Sequence, residues 1–145
     1  AGQQYLKDIQ NIRLAQMNAV KLGFPDQSFD TVVCIQNGIS AFPVSPRALI
    51  AESIRVTKKG GRVFFSSYSA KFWKERLEWF QVQSNAGLVG EIDWDATKEG
   101  IIVCRDGFRG MTFGPEDFKT LVMPFGLPFN ICEVDESSVF CEIMV

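Results

Sequence analysis

Residues with amide side chains lie directly after two predicted strands, at positions suited to ligand binding. Asn18 follows a short predicted strand, Ile12–Met17, and Gln36 and Asn37 follow a second predicted strand, Val32–Ile35. Open α/β sheets bind ligands outside the carboxyl ends of their strands. Because amides both donate and accept hydrogen bonds, these residues can bind the polar groups of a ligand. A plain strand-exit turn is an equally good interpretation of Gln36-Asn37.

The histidine and cysteine content of the chain disfavours a metal site and a Ser-His catalytic triad. The sequence contains no histidine, and its four cysteines have no C-x-x-C spacing. We therefore expect neither a metal site nor a Ser-His catalytic triad. A turn centred on Glu136-Ser137 would set Cys132 opposite Cys141, where a disulfide is conceivable. The favoured interpretation is two reduced cysteines that pack as small apolar residues in a cytosolic sheet.

The composition indicates one soluble domain. The chain has 145 residues, of which 46% are hydrophobic, and a formal net charge of -2. That length supports a single core, and neither sign of charge forms a run that would favour a nucleic-acid partner. No apolar stretch reaches the roughly 18 residues that a membrane-spanning helix needs. We therefore predict one domain over residues 1–145, located in the cytoplasm, with neither nucleic acid nor membrane as a partner.

The pattern of apolar residues and turn residues predicts alternating helices and strands. Residues 2–11 have helical spacing, Ser45-Pro46 is typical of a helix start, and Asp106-Gly107 is typical of a hairpin turn. Segment 88–113 is predicted to be a small antiparallel insertion or a substrate-side segment. The remaining predicted elements are a strand at 62–67, helices at 71–83 and from 115 to about 124, and a final hairpin of 129–134 and 139–144.

Three segments together carry a family resemblance. Residues 18–33, which include Asn18-Ala19 and the run Leu22-Gly23-Phe24-Pro25-Asp26-Gln27-Ser28-Phe29-Asp30, resemble a segment of the class I S-adenosylmethionine-dependent methyltransferases. Residues 52–61 resemble that family's Glu-x-x-Arg-Val-Leu-Lys-Pro-Gly-Gly, and residues 112–118 resemble its Phe-Thr-Pro-Glu-Glu-Leu helix start. The three occur in the family's order across nearly the whole chain.

The resemblance implies a fold, a reaction and a set of site residues. The fold would be α/β, a Rossmann-like methyltransferase sheet that is mostly parallel and ends in an antiparallel hairpin. The reaction would be methyl transfer from S-adenosylmethionine to a small-molecule acceptor by in-line displacement, with few catalytic groups from the protein. The residues implied on the cofactor side are Met17, Asn18, Ala19, Gln36 and Asn37. Phe42 and Tyr68 are implied on the substrate side, with core packing as the alternative; for Asn18 the alternative is an ordinary loop residue.

The segment between the first two strands is predicted to be structural. Phe24 and Phe29 can pack the loop onto the sheet, and Asp26 and Asp30 can accept hydrogen bonds from turn amides. We therefore expect ligand contacts beside this segment rather than within it.

The family's glycine-rich loop and the acidic residue that holds the ribose have no counterpart in these residues. We therefore expect an amino-terminally truncated fold, with two strands and a helix upstream, and an apolar sheet edge at Val32–Ile35. A second copy, another chain or a re-docked Ile12–Met17 strand could cover that edge. Two other functions stay open: a non-catalytic methyltransferase-like scaffold that binds partners, and a dinucleotide-dependent oxidoreductase, which the final hairpin disfavours.

Overall fold

A four-stranded sheet is the centre of the molecule. A computed structural model of the chain describes residues 4, 6 and 8–145. In chain order its elements are strand β1 (Phe29–Cys34), helix α1 (Gly38–Ala41), helix α2 (Pro46–Val56), strand β2 (Thr57–Tyr68), helix α3 (Trp73–Asn85), strands β3 (Ile101–Val103) and β4 (Arg109–Met111), helix α4 (Pro115–Val122), and strands β5 (Phe129–Val134) and β6 (Ser138–Met144). A single 3₁₀ turn at Ala70–Phe72 precedes α3, and another at Met123–Phe125 follows α4.

The strands of the main sheet follow the order β1-β2-β6-β5. Strand β1 runs parallel to β2, with Val32 beside Val63, whereas β6 is antiparallel to both β2 and β5. The predicted α/β class is confirmed. The prediction of a mostly parallel sheet is wrong for the described residues, because the final hairpin supplies two of the three pairings.

The predicted strand Ile12–Met17 is not formed. Within the described residues no strand lies beside it, so its backbone has no ladder to join and Ile12 and Leu14 are exposed. The outer edge of β1 is therefore not covered by this segment, and the side chains of Val33 and Ile35 are 55% and 46% exposed. The predicted helix over residues 2–11 lies partly outside the described residues, and residues 8–11 are not helical.

The core lies on the sheet under α2 and α4. Leu49 and Ile50 of α2 and Phe118 of α4 pack onto the buried face of β2 and β6. Local hydrogen bonds fix the start of each helix: the Ser45 hydroxyl accepts one from the Ala48 amide, and the Asp117 carboxylate accepts one from the Gly114 amide. In both helices a proline, Pro46 or Pro115, occupies the first helical position. Both helix starts agree with the sequence prediction.

Strands β3 and β4 form the predicted small antiparallel sheet. Asp106 and Gly107 make the turn between them; Gly107 has a φ of 94°, and the Asp106 carboxylate accepts a hydrogen bond from the Phe108 amide. A left-handed backbone conformation at the turn favours glycine, which explains why Asp106-Gly107 alone predicts this hairpin.

The register of the final hairpin differs by one residue from the prediction. Cys132 pairs with Phe140, and Cys141 pairs with Ile131. Because neighbouring residues along a strand point to opposite faces, the two cysteines lie on different faces of the sheet: Cys132 is exposed and Cys141 is buried. Both thiols are free, and burial raises the pKa of Cys141 to about 12.

Candidate functional site

The loop before β1 is locked to helix α2 by one arginine. Arg55 donates hydrogen bonds to both carboxylate oxygens of Glu52, to Asp26, and to the carbonyls of Leu22 and Phe24. Glu52 in turn accepts a hydrogen bond from the Leu22 amide at 2.5 Å. These contacts lower the pKa of Glu52, above all through the hydrogen bonds from Arg55.

The loop is therefore a structural clasp, although its two aspartates act differently from the prediction. Phe24 and Phe29 pack edge to face with ring centroids 4.8 Å apart. Asp26 and Asp30 do not bond turn amides: they pair with Arg55 at 2.6 Å and with Lys58 at 2.8 Å. Side-chain cations of the helix and of the start of β2 compete successfully for these carboxylates because charge-assisted hydrogen bonds are stronger than neutral ones.

A polar pocket of about 560 Å³ opens at the carboxyl ends of the parallel strands β1 and β2. This is the position at which open α/β sheets bind ligands. Its lining combines amides and hydroxyls with aromatic rings. The lining residues are Ile35, Gln36, Asn37, Ser66, Ser67, Tyr68, Trp79, Ser138 and Phe140.

Gln36 and Asn37 form a left-handed turn at the rim of this polar pocket. Their φ angles are 54° and 60°, a region that non-glycine residues enter at a cost of about 1 kcal/mol each. The turn is held by two backbone N–H groups: that of Gln36 donates a hydrogen bond to the Ser66 hydroxyl, and that of Asn37 donates one to the Ser66 carbonyl. Strand β2 therefore fixes the residues that follow β1.

Asn37 also joins the turn to the small sheet. Its side-chain oxygen accepts a hydrogen bond from the Ser67 hydroxyl at 2.7 Å, and its amide nitrogen donates to the Ser40 hydroxyl at 3.2 Å. Those two hydroxyls accept hydrogen bonds from the backbone amides of Phe113 and Met111 respectively. With the Asn37 side chain committed to this network, Gln36 is the amide whose side chain is left for a ligand.

Of the remaining predicted site residues, Tyr68 shares the polar pocket with Gln36 and Asn37, and the others do not. Neither of the two pockets described here is lined by Met17, Asn18 or Ala19. The Asn18 side chain accepts a hydrogen bond from the Val20 amide at 3.0 Å, which is a local turn interaction. The role of Met17, Asn18 and Ala19 as cofactor contacts stays a prediction.

Phe42 belongs to a second, apolar pocket of about 620 Å³. The segment from α1 to the start of α2 forms one wall of this pocket, and the β3–β4 hairpin forms the other. Ser40 lines it as well and hydrogen-bonds Asn37 of the polar pocket, so the two pockets are neighbours. Part of segment 88–113 thus forms one wall of a cavity, and its role as a substrate-side segment stays a prediction.

No sequence pattern indicates Arg76, the largest fully buried side chain among the described residues. Its guanidinium lies 4.8 Å from the ring centroid of Tyr68 and 6.0 Å from that of Phe80, and it donates one hydrogen bond to the Thr112 hydroxyl. Its Nε atom has no partner. Burial lowers the pKa of Arg76. Arg76 fixes the position of Tyr68 relative to the hairpin.

The sequence predictions also missed Ser66 and Ser67 as site residues. A signal existed for the serines, since two hydroxyls follow the apolar run of β2 at the ligand-binding edge of the sheet. Within the described residues, no group of three or more cysteine or acidic side chains is arranged to hold a metal ion. The helices in that part of the chain are too short or too polar to cross a bilayer.

Comparison with known proteins finds similarity to methyltransferases. A family model described as a methyltransferase domain matches residues 1–65. A phosphatidylethanolamine N-methyltransferase from Cereibacter sphaeroides is 41% identical over 58 residues, which are 40% of this chain and 28% of that protein. The similarity to a methyltransferase domain thus covers the amino-terminal 65 of the 145 residues.

Solved structures share the methyltransferase fold at low sequence identity. A protein from Pyrococcus horikoshii superposes with a TM-score of 0.70 at 20% identity, over 98% of this chain and 66% of that one. A S-adenosylmethionine-dependent methyltransferase from Clostridium acetobutylicum gives 0.62 at 14% identity, over 99% and 69%. The present chain thus spans under a third of the curated relative and about two thirds of these structures.

Proposed function

We propose that the protein containing this chain transfers a methyl group from S-adenosylmethionine to a small-molecule acceptor. The observation that carries the proposal is the polar pocket, where Gln36, Asn37, Ser66 and Ser67 lie at the carboxyl ends of two parallel strands. The family match independently favours the same cofactor. The similarity to a phosphatidylethanolamine N-methyltransferase is confined to 58 residues and leaves the acceptor to be identified by experiment.

The donor groups of the polar pocket suit part of the cofactor. The Gln36 side chain and the Ser66 and Ser138 hydroxyls can pair with the charged amino acid end, while the rings of Tyr68, Trp79 and Phe140 can contact apolar parts. Met17, Asn18 and Ala19 are proposed as further cofactor contacts on the ground of the family resemblance. When bound, the cofactor supplies a methyl group that its sulfonium already makes electrophilic.

The chain's own contribution is binding and orientation. The Gln36 side chain would hold the cofactor's amino acid group, and the Ser66 hydroxyl fixes the Gln36 backbone that presents it. Tyr68 is held by Arg76 and would set the direction from which the acceptor approaches. Alignment of a nucleophile with an electrophilic methyl contributes a large share of the rate enhancement in such displacements, so no histidine base is required.

Replacing Gln36 with glycine tests the role of the turn. Gln36→Gly keeps the left-handed backbone accessible but removes the side chain, so we expect S-adenosylmethionine affinity to fall by ~10-fold, as for a lost charge-assisted hydrogen bond, with no loss of stability. Isothermal titration of the full protein measures the affinity.

Gln27→Gly is the matched control, since Gln27 also has a left-handed φ, 57°, but does not line the polar pocket. It should bind the cofactor as the wild type does. Equal affinities for all three proteins would remove Gln36 from the cofactor site. Absence of binding by the wild-type full protein would refute the proposed function and favour the methyltransferase-like scaffold.

A further inference from the structure

The two neighbouring pockets differ in chemistry. The polar pocket carries amides and hydroxyls, whereas the larger pocket is lined mainly by apolar and aromatic side chains, among them Phe42, Val44, Phe108 and Phe113. Phe42 and Met111 are 42% and 37% exposed, which is unusual for large apolar side chains that line one cavity. A volume of about 620 Å³ is within the range of small-molecule sites. An apolar group of a ligand would bury this surface.

One charged side chain, that of Arg109, lines the apolar pocket. Among the described residues that line it, Arg109 alone is charged, and no carboxylate of the described residues forms an ion pair with it. Arg105, four residues earlier on the same hairpin, instead pairs with Glu91. An unpaired guanidinium beside an apolar cavity complements a ligand that is apolar with a single anionic group.

The hairpin wall is held in place without a ligand. The Met111 backbone amide donates a hydrogen bond to the Ser40 hydroxyl of the opposite wall, and Phe108 stacks on Phe80 of α3 with ring centroids 5.6 Å apart. Behind β4, Arg76 bonds Thr112, and any side chain at Gly110 would lie within 3.1 Å of its guanidinium. The hairpin wall is thus tied to the opposite wall and to α3, and the Phe113 backbone amide ties it to the Ser67 hydroxyl of β2, so the pocket is formed before anything binds.

We infer that the apolar pocket binds the methyl acceptor, and that this acceptor is an apolar carboxylic acid whose carboxylate pairs with Arg109. A separate nucleophilic atom of the acid bonds the methyl carbon as the bond from that carbon to the cofactor sulfur breaks, and the sulfur keeps the electron pair as a neutral thioether. The hydrogen-bonded residues Asn37 and Ser40 join this pocket to the proposed cofactor site, which places the acceptor beside the methyl donor. The assignment as acceptor rests on the proposed function, whereas binding of the acid can be measured without cofactor or turnover.

Octanoate and octan-1-ol form a matched probe pair, because they share the alkyl chain and differ in charge. Ligand-observed NMR on the full protein without cofactor should show octanoate binding at least ~5-fold more tightly than octan-1-ol, the size expected for one charge-assisted contact. Arg109→Gln should remove that preference and leave octan-1-ol binding unchanged. Phe42→Ser should weaken both probes by ~5-fold or more, because it removes apolar contact area.

Arg105→Gln is the control for charge alone, since it removes one cation from the same hairpin outside the pocket. It should bind octanoate as the wild type does, and the thermal unfolding midpoint of each variant verifies folding. Equal binding of both probes, equal effects of Arg109→Gln and Arg105→Gln, or no effect of Phe42→Ser would each overturn the inference. Octanoate binding by a protein that does not bind S-adenosylmethionine would refute only the proposed function.

Discussion

Arg55 and Arg76 each join a helix to a neighbouring segment, but their surroundings are opposite. Arg55 lies at the surface, with five hydrogen bonds to carboxylates and carbonyls, and its pKa is raised by Glu52 and Asp26. Arg76 is 1% exposed, has one hydrogen bond and two aromatic neighbours, and its pKa is lowered by burial. The clasp depends on paired charge, whereas the α3–hairpin region depends mainly on packing.

The comparison matters for function because each arginine supports a different part of the site. Arg55 holds the loop that leads into β1, whose far end carries Gln36 and Asn37. Arg76 holds Tyr68 and the hairpin that lines the apolar pocket. Paired charges can be removed by pH or by a neutral substitution, while a packed cation is sensitive mainly to the volume of its replacement.

The largest effect is expected from truncating Arg76. Arg76→Ala should reduce the free energy of unfolding by ~3 kcal/mol, because it leaves a cavity between Tyr68 and Phe80. Arg76→Met keeps most of the volume and removes an uncompensated charge, so its cost should stay below ~1 kcal/mol. Urea unfolding measures both variants. If methionine costs as much as alanine, the charge rather than the packing of Arg76 holds this region.

Removing Arg55 should have the next largest effect. Arg55→Met leaves the buried Glu52 carboxylate and the carbonyls of Leu22 and Phe24 without their donor, so the midpoint of thermal unfolding should fall by ~5 °C or more. Proteolysis of the folded protein should become faster within residues 22–28.

Arg47→Met is the matched control for Arg55→Met, since Arg47 lies on the same helix and forms no ion pair with the described residues. Its unfolding midpoint should be that of the wild type. A similar loss of stability in both variants would show that helix α2 itself, and not the clasp, is sensitive to arginine replacement.

The smallest effect concerns pH, and it separates the two regions directly. The folded-state pKa of Glu52 is below its ordinary value of about 4.3, so Glu52 stabilises the fold above that value and loses this contribution as pH falls through the folded pKa. Thermal unfolding between pH 7 and pH 3 should therefore decline less steeply for Glu52→Gln than for the wild type. Arg76→Met should keep the wild-type slope; identical slopes for all three proteins would contradict the difference between the regions.

Local signals predicted most of the fold. Ser45 before Pro46, the Asp106-Gly107 turn and Pro115 each specify an element through its own backbone geometry, and all three elements are present. The Ile12–Met17 strand failed because a strand exists only with a partner, which local pattern does not supply. The one-residue error at Cys132 has a related cause: turn length sets hairpin register, and Asp135 and Glu136 adopt left-handed conformations that the sequence does not announce.

The candidate site was predictable only where residues follow strands directly. Gln36, Asn37 and Tyr68 meet in one pocket because parallel strands end at the same edge of a sheet. Arg76 could not be found this way, since an arginine in a helix of mixed polarity is normally exposed and its burial depends on Tyr68 and Thr112 from two other segments as well as on Phe80 of its own helix. The apolar pocket likewise arises from contact between residues 39–46 and 107–113, which are distant in sequence.

The left-handed turn at Gln36-Asn37 has a consequence for the entropy of binding. Its backbone is already confined by the Ser66 and Ser67 contacts in a conformation that a free chain rarely samples. A ligand at this rim therefore has only the Gln36 side chain left to order, and a smaller share of its contact energy is lost to immobilising protein. The conformational cost of the turn is met when the chain folds, not when the ligand arrives.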